Sequence, residues 1–190
     1  MSWIPTHSGH WVELGRLKPA DVDLADIAWH LSALARFTGA TEPSGYSVAE
    51  HSVRVKEAVE KAGGGRTAQA QALLHDAAET YLGDVAAPLK ALLDTYRALE
   101  AQAHGAIMAR FGLPFDLLPE VVEADRRMFA TEWRDLMVKA AANPPAGFDP
   151  QVDADRPAPA PYDDVRLLAP WSFASARATF LGIAEQLELR

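Results

Sequence analysis

Four groups that can carry chemistry lie close together in a segment otherwise rich in alanine and leucine. His75, Asp76, Glu79 and Asp84 fall within ten residues. The apolar pattern around them predicts a buried helix, and burying a carboxylate is costly unless the charge is paired or bound to a metal ion. A His-Asp pair alone is not specific, because a hydrogen-bonded polar network explains it more simply. The segment becomes informative only together with residues elsewhere in the chain.

Two further residues offer metal-binding groups from other predicted helices. His51 follows shortly after the start of the preceding helix, and Asp125 lies on a later one. Imidazole nitrogens and carboxylate oxygens suit Co, Mn, Zn, Ni or Fe(II), and facing helices in a bundle core can assemble them. Neighbouring residues on a helix point about 100° apart, so a shared ion must lie at the flank of that helix. We predict one divalent transition metal ion with four ligands: His51, His75, Asp76 and Asp125.

The elements that must position these residues are helices. Apolar residues recur at three- and four-residue spacing along most of the chain, and no stretch with strand periodicity is long enough to build a sheet. Residues 1–22 are mixed and aromatic, which indicates a short hairpin or an irregular cover. The predicted helices cover residues 23–39, 47–61, 67–81, 93–111, 118–141 and 172–189, with a short segment from Pro88. We therefore predict an all-α fold, a compact bundle of six or seven helices.

Local signals set the predicted boundaries. Ser47 stands three residues before Glu50, which is the pattern of a capping box. Gly39 and Gly83 are predicted to end their helices, and Thr67 is predicted to cap one.

Length and proline content indicate one domain. A chain of 190 residues can build a single substantial core and is too short for two domains of ordinary size. The chemical motif falls in residues 24–140. Residues 143–170 hold seven of the thirteen prolines, so we expect an irregular surface connection there, followed by a closing helix over residues 172–189.

Charge and composition exclude several classes of partner. The net charge of −8 makes duplex nucleic acid a poor ligand, because phosphate neutralisation needs clustered Lys and Arg. The sequence has no apolar run long enough for a membrane span and no secretory signal pattern at its start. Cysteine is absent, which excludes disulfides and thiolate metal sites. We expect a cytoplasmic protein without a membrane or duplex nucleic acid partner.

The order of the four predicted ligands resembles the H…HD…D signature of HD-domain phosphohydrolases. The string HDAAETYLGD resembles the HDxxExxxGD string of the subgroup that contains bacterial 5′-deoxynucleotidases and small dNTP triphosphohydrolases. In that subgroup an Arg and an aromatic residue stand shortly before the first ligand His, and Arg36 and Phe37 match that position. Phe37 stands where close relatives of the deoxynucleotidase often carry Trp. The resemblance covers residues 24–140 and implies a compact helical bundle of the HD type.

The resemblance also implies a role for each matched residue. The metal ion, with Asp76 among its ligands and counted as catalytic, would activate a water molecule and polarise phosphorus. Glu79 would transfer a proton to or from the water or the leaving group. Three residues would bind the substrate: Arg36 at a phosphate, Phe37, and Asp84 at the sugar 3′-hydroxyl.

Two enzymatic reactions fit these residues. A 5′-deoxynucleotidase would release phosphate from a dNMP, whereas a triphosphohydrolase would release triphosphate from a dNTP. Both reactions attack the phosphorus nearest the sugar. A triphosphate needs additional space and positive charge beyond that phosphorus, and this requirement distinguishes the two reactions. We favour the monophosphate. As in the resembled family, we expect a homo-oligomer that binds a small nucleotide.

Two other classes fit less well. A non-catalytic nucleotide-binding module would be expected to lose metal ligands or Glu79, and this chain retains them. A cyclic-dinucleotide phosphodiesterase of the subgroup marked by a GYP string is not matched, because Ser47 follows Gly45 and Tyr46.

Overall fold

Helices make up most of residues 2–146 and 159–190, the part of the chain that the computed structural model describes. A hairpin precedes them, in which strand β1 (Trp3–Pro5) pairs antiparallel with β2 (Trp11–Glu13). Within the described residues, six helices have nine or more residues and three are shorter. They are α1 (Leu24–Ala33), α2 (Val48–Lys61), α3 (Arg66–Leu74), α4 (Glu79–Leu82), α5 (Ala87–Lys90), α6 (Asp94–Arg110), α7 (Pro119–Leu136), α8 (Val138–Ala142) and α9 (Phe173–Gln186). The prediction of an all-α fold is confirmed.

Helix α2 lies at the centre of the packing, against α1, α3, α7 and α9. Ala49 and Val53 belong to a buried core that includes residues of α1, α3 and α9. Val55 and Val59 belong to a second core, which includes residues of α3 and α7. Because α2 is covered on two sides, a polar residue on it such as His51 is held in the interior, where it is 0% exposed.

The first predicted helix is shorter than expected, because it ends at Ala33 and not at Gly39. Arg36–Gly39 form a separate 3-10 turn, in which Phe37 and Thr38 have left-handed φ angles of 53° and 51°. That conformation costs roughly 1–2 kcal/mol for a residue with a side chain. The backbone here pairs with the chain just before α2, and a continued helix would prevent that pairing.

The helix predicted around the His-Asp pair is interrupted. Its first part, α3, has Gly65 and not Thr67 at its N-cap, whereas Gly83 ends α4 as predicted, with φ of +75°. Between α3 and α4, backbone N–H groups bond to carbonyls three residues back, as from Glu79 to Asp76 at 3.0 Å. Winding of three residues per turn places residues i and i+3 on one side. Asp76 and Glu79 therefore project in the same direction.

Two later boundaries also differ from the predictions. The helix predicted over residues 118–141 breaks at Met137 into α7 and α8. The closing helix α9 ends before residue 189, because Glu188 adopts a left-handed φ of 56°. Residues 147–158 of the predicted proline-rich connection lie outside the described residues. None of the helices in residues 2–146 and 159–190 combines the length and apolar character that crossing a membrane requires.

A buried carboxylate joins α2 to the start of α9. Glu50 is 1% exposed; its Oε1 accepts hydrogen bonds from Arg54 Nε and Nη2 at 3.0 and 2.7 Å, and its Oε2 accepts one from the Trp171 backbone N–H at 2.7 Å. Only half of the predicted capping box therefore forms. Ser47 Oγ accepts from the Glu50 N–H at 3.1 Å, but the Glu50 carboxylate holds α9 instead of returning to Ser47.

Replacing Glu50 with Ala should lower the free energy of unfolding by about 3 kcal/mol, because it leaves a partly buried Arg54 and a backbone N–H without their acceptor. Urea titration followed by circular dichroism measures this change. The matched control is Glu57→Ala, which removes an exposed acid from the same helix and should change stability by less than about 0.5 kcal/mol. Equal effects of the two substitutions would contradict the structural role of Glu50.

Candidate metal centre and adjoining cleft

The four predicted metal ligands lie together where α2, α3 and α7 meet. His51 lies in the first turn of α2, His75 and Asp76 directly follow α3, and Asp125 lies in the second turn of α7. Ligand atoms of His51, His75 and Asp125 all lie within 4.8 Å of one another. These three residues form a group that could hold a metal ion.

Interatomic distances place all four side chains around one point. The Nε2 atoms of His51 and His75 are 3.2 Å apart. Asp125 Oδ1 lies 3.0 Å from His51 Nε2 and 3.6 Å from His75 Nε2. Asp76 Oδ2 lies 3.3 Å from His75 Nε2 and 3.6 Å from His51 Nε2. Both histidine side chains are buried while both carboxylates are partly exposed, so the group is open on the carboxylate side.

Hydrogen bonds at Nδ1 fix the tautomers of both imidazoles. His75 Nδ1 lies 2.8 Å from the carbonyl oxygen of Ala72, which can only accept, so Nδ1 carries the proton. His51 Nδ1 lies 2.5 Å from Oε1 of Glu132. When both rings are neutral, each Nε2 atom is unprotonated, and its lone pair points towards the other Nε2 atom and towards carboxylate oxygens. This donor set fits a bound cation, and metal-binding histidines are commonly supported by such bonds from the other ring nitrogen.

The carboxylates change the pKa values of the two histidines. Burial lowers the pKa of His75, but Asp76 and Asp125 outweigh it and raise that pKa well above its ordinary value. Against the effect of burial, Glu132 and Asp125 likewise raise the pKa of His51. The pKa values of Asp76 and Asp125 are lowered in return, although burial alone would raise them. Protons and a metal ion therefore compete for the same nitrogen atoms.

Glu132 is a buried carboxylate at the site that was not among the residues predicted from the sequence. It is 0% exposed on α7, and its Oε1 contacts His51 and accepts a hydrogen bond from the Tyr46 hydroxyl at 2.9 Å. Its Oε2 accepts a hydrogen bond from Arg36 Nε at 3.1 Å and forms an ion pair with Arg36 Nη2, also at 3.1 Å. Glu132 stands seven residues after Asp125, which puts both acids on one face of α7. That two-turn spacing was the signal in the sequence that could have identified it.

Arg36 reaches the site, where its guanidinium binds carboxylates and lies 5.5 Å from the centroid of the Phe37 ring. Its Nη1 donates to Asp76 Oδ2 at 3.3 Å, and its Nε and Nη2 bind Glu132. Its neighbour Phe37 packs in an aromatic cluster, with ring centroids 5.5 Å from Phe129 and 6.3 Å from Trp133. The predicted contacts of Arg36 and Phe37 with a substrate stay predictions.

A cleft of about 270 Å³ opens beside the metal-binding group. His75, Asp76 and Glu79 line one side of it. The other side comes from α6 and the loop that follows α6. Its lining residues are Arg97, Glu100, Ala101, His104, Phe115 and Leu117. No pattern in the sequence indicates this wall, because its residues match no motif and only the packing of α6 brings them to the site.

Glu79 is an acid in this cleft that holds a proton at neutral pH. Burial raises its pKa, as do the charges of Asp76 and Asp84, to about 9. Its Oε2 is buried without a hydrogen-bond partner. Asp84 follows the end of α4, and its own pKa is raised, chiefly by burial. The negative charge of Asp84 contributes to the raised pKa of Glu79. The predicted contact of Asp84 with a sugar stays a prediction.

Replacing Glu132 with Gln should weaken metal binding by about 10- to 100-fold, the usual effect of losing the carboxylate that orients a metal-binding histidine. Calorimetric titration of the chelator-treated protein with Co²⁺ or Mn²⁺ measures the affinity. Glu123→Gln alters an exposed acid on the same helix and serves as the control. Unchanged affinity in the Glu132 variant would show that this carboxylate does not support the centre.

The pKa of Glu79 predicts how the stability of the metal-free protein depends on pH. Between its ordinary value of 4.5 and about 9, the unfolded chain releases this proton while the folded protein keeps it, so stability falls as the pH rises. Glutamine at position 79 resembles the protonated acid but does not titrate, so the substitution removes this contribution to the pH dependence of stability. In the presence of a chelator, Glu79→Gln should raise the melting temperature more at pH 8.5 than at pH 5. A constant difference between the two proteins would refute the raised pKa.

Comparisons with known proteins place the chain among relatives. No protein-family model matches it. It is 38% identical over 136 residues to the uncharacterised protein YfdR of Escherichia coli strain K12, which covers 72% of this chain and 73% of YfdR. It is 36% identical over 159 residues to the uncharacterised protein RCAP_rcc00048 of Rhodobacter capsulatus, which covers 82% of this chain and 78% of that protein. The chain therefore belongs to the family that contains YfdR and RCAP_rcc00048.

Proposed function

We propose that this protein is a metal-dependent phosphohydrolase of the HD type that removes the 5′-phosphate of deoxynucleoside monophosphates. One observation carries the proposal: the residues able to hold a cation border the same cleft as Glu79, a buried acid whose pKa is raised. The resemblance of the string HDAAETYLGD to that of bacterial 5′-deoxynucleotidases supports the same reaction.

The ligands of the proposed ion are four side chains, with Asp76 added to the group of three because its Oδ2 lies within 3.6 Å of both Nε2 atoms. The donor set suits Co, Mn, Zn, Ni or Fe(II). When bound, such an ion would lower the pKa of a coordinated water and withdraw charge from phosphorus. The partial exposure of Asp76 and Asp125 leaves a path for a phosphate group.

Glu79 would supply the proton that the reaction needs. Hydrolysis of a phosphomonoester breaks the bond between phosphorus and the sugar oxygen, and that oxygen leaves as an alcohol only if it gains a proton. In the metal-free protein the pKa of the Glu79 carboxyl is raised to about 9, so the group carries a proton at neutral pH before the ion binds. Its buried, unpartnered Oε2 faces no competing protein acceptor.

The charge of the cleft favours a monophosphate over a triphosphate. A triphosphate needs clustered cations beyond the first phosphorus. The cleft lining contains the carboxylates of Asp76 and Glu100, the protonated Glu79 and one guanidinium, Arg97, which is itself paired with Asp94. The guanidinium of Arg36 is already bound to the carboxylates of Asp76 and Glu132, so it adds no unpaired cation for a second or third phosphate.

The reaction is tested by incubating the protein with added Co²⁺ or Mn²⁺ and either a dNMP, an NMP or a dNTP, with phosphate and triphosphate measured separately. We expect phosphate release from dNMPs that stops with a chelator and returns with metal. Triphosphate release from dNTPs would favour the triphosphohydrolase instead, and binding of nucleotide without either product would indicate a non-catalytic module.

Two variants separate metal binding from proton transfer. Asp76→Ala should abolish metal binding and turnover together. Glu79→Ala should retain the metal but reduce kcat by about 100-fold or more, the usual scale for a lost acid-base group. Metal content by elemental analysis and kcat on dAMP distinguish the two. Near-normal turnover by the Asp76 variant without bound metal would contradict the proposed metal centre.

A further inference from the structure

The ring of Phe115 is exposed on the wall of the cleft opposite the metal-binding group. Phe115 is 54% exposed and lines the cleft together with His75, Asp76 and Glu79. Side chains of two helices, α3 and α6, hold the backbone around Phe115.

Gln71 fixes the loop on both sides of Phe115. Its side chain is 0% exposed on α3, and its Nε2 donates to the carbonyl oxygens of Pro114 and Asp116, each at 2.9 Å. Its Oε1 accepts from the backbone N–H of Leu118 at 3.0 Å. A buried amide with these partners is satisfied only while the loop keeps this conformation, since an unpaired buried polar group is destabilising.

Two residues of α6 hold Phe115 itself. His104 Nε2 donates to the Phe115 carbonyl oxygen at 2.8 Å, and its ring meets the Phe115 ring edge-on, with centroids 5.3 Å apart. Gly105 provides the space for the ring, because a Cβ added there would lie 3.3 Å from Phe115 Cε2. The contacts with His104 and Gly105 therefore hold the Phe115 ring in place, although part of the ring is exposed to solvent.

We propose that Phe115 is a stacking platform for a planar, uncharged aromatic ring on the leaving group of the substrate. This inference rests on the proposed function and names the part of the substrate that fills the cleft away from the metal. A fixed aromatic face binds a flat ring with little loss of conformational freedom, and base–aromatic stacking is a general, sequence-tolerant source of affinity.

The charges around the platform decide against an anionic group in this position. The cations near the platform are already paired, because Lys90 binds Glu100 at 2.5 Å and Arg97 binds Asp94. An uncharged heterocycle needs no cation here, whereas a further phosphate would. Together with the proposed phosphate position at the metal, this orients the substrate with its ring towards α6.

The test compares two substrates that share a phosphate ester and differ in the ring, dAMP and 2-deoxyribose 5-phosphate. Phe115→Ala should lower the ratio of their kcat/KM values by about 10-fold or more, the scale of one stacked base, through KM for dAMP. Phe115→Tyr, which keeps a flat ring, should restore the ratio. A ratio that Phe115→Ala leaves unchanged overturns the platform.

Gly105→Ala tests the seating of the ring without removing it. The added methyl group must push the Phe115 ring by a few tenths of an ångström, so KM for dAMP should rise by roughly threefold, while Ala should not destabilise a helix relative to Gly. Gly182→Ala is the matched control, because that helical glycine of α9 has nothing within 4 Å of an added Cβ. Equal KM values for the two variants would count against the proposed seating.

Binding without turnover separates this inference from the proposed function. Deoxyadenosine carries the ring but no phosphate, and its binding to the metal-free protein can be followed by NMR. Binding that Phe115→Ala abolishes supports the platform even if no phosphomonoester is hydrolysed. Deoxyadenosine binding that is equal in wild type and Phe115→Ala, or that shifts no resonance of the cleft residues in the wild type, overturns the platform while leaving a phosphohydrolase intact.

Discussion

The buried carboxylate of Glu132 is the interaction on which the rest of the site depends. A charge at 0% exposure is strongly destabilising unless its partners are held close. Those partners come from three separate parts of the chain: Arg36 in the 3-10 turn, Tyr46 before α2, and His51 within α2. Because one carboxylate binds all of them, the turn, α2 and α7 are locked in a single arrangement, and the tautomer of His51 follows from it.

Two carboxyl groups three residues apart differ in protonation as a consequence of this arrangement. Asp76 faces both imidazoles and Arg36, and despite burial its pKa is lowered. Glu79 is buried without a cation close enough to compensate, so its pKa is raised to about 9. The tight winding between α3 and α4 directs both towards one cleft. A group that favours a cation and a group that retains a proton thus share one space, which is how pKa tuning divides roles between neighbouring acids.

Features that depend on a few neighbouring residues could be predicted from the sequence. The helical class, the start of α2 at Ser47 and the end of α4 at Gly83 follow from periodicity, capping and the freedom of glycine. The predictions failed where distant contacts override local preference. The first helix ends early because its continuation pairs with the chain before α2, and Glu50 leaves its capping box because its carboxylate binds Arg54 and the backbone of Trp171.

The sequence by itself determined which side chains could bind a cation, and it placed His51, the His-Asp pair and Asp125 on separate helical elements. Only the tertiary structure decided that Glu132 supports His51 and that Phe115 forms the far wall of the cleft. The physical reason is the distance along the chain. Arg36 and Glu132 are 96 positions apart, so their contact is set by how α2 and α7 pack, and no local pattern of residues encodes that packing directly.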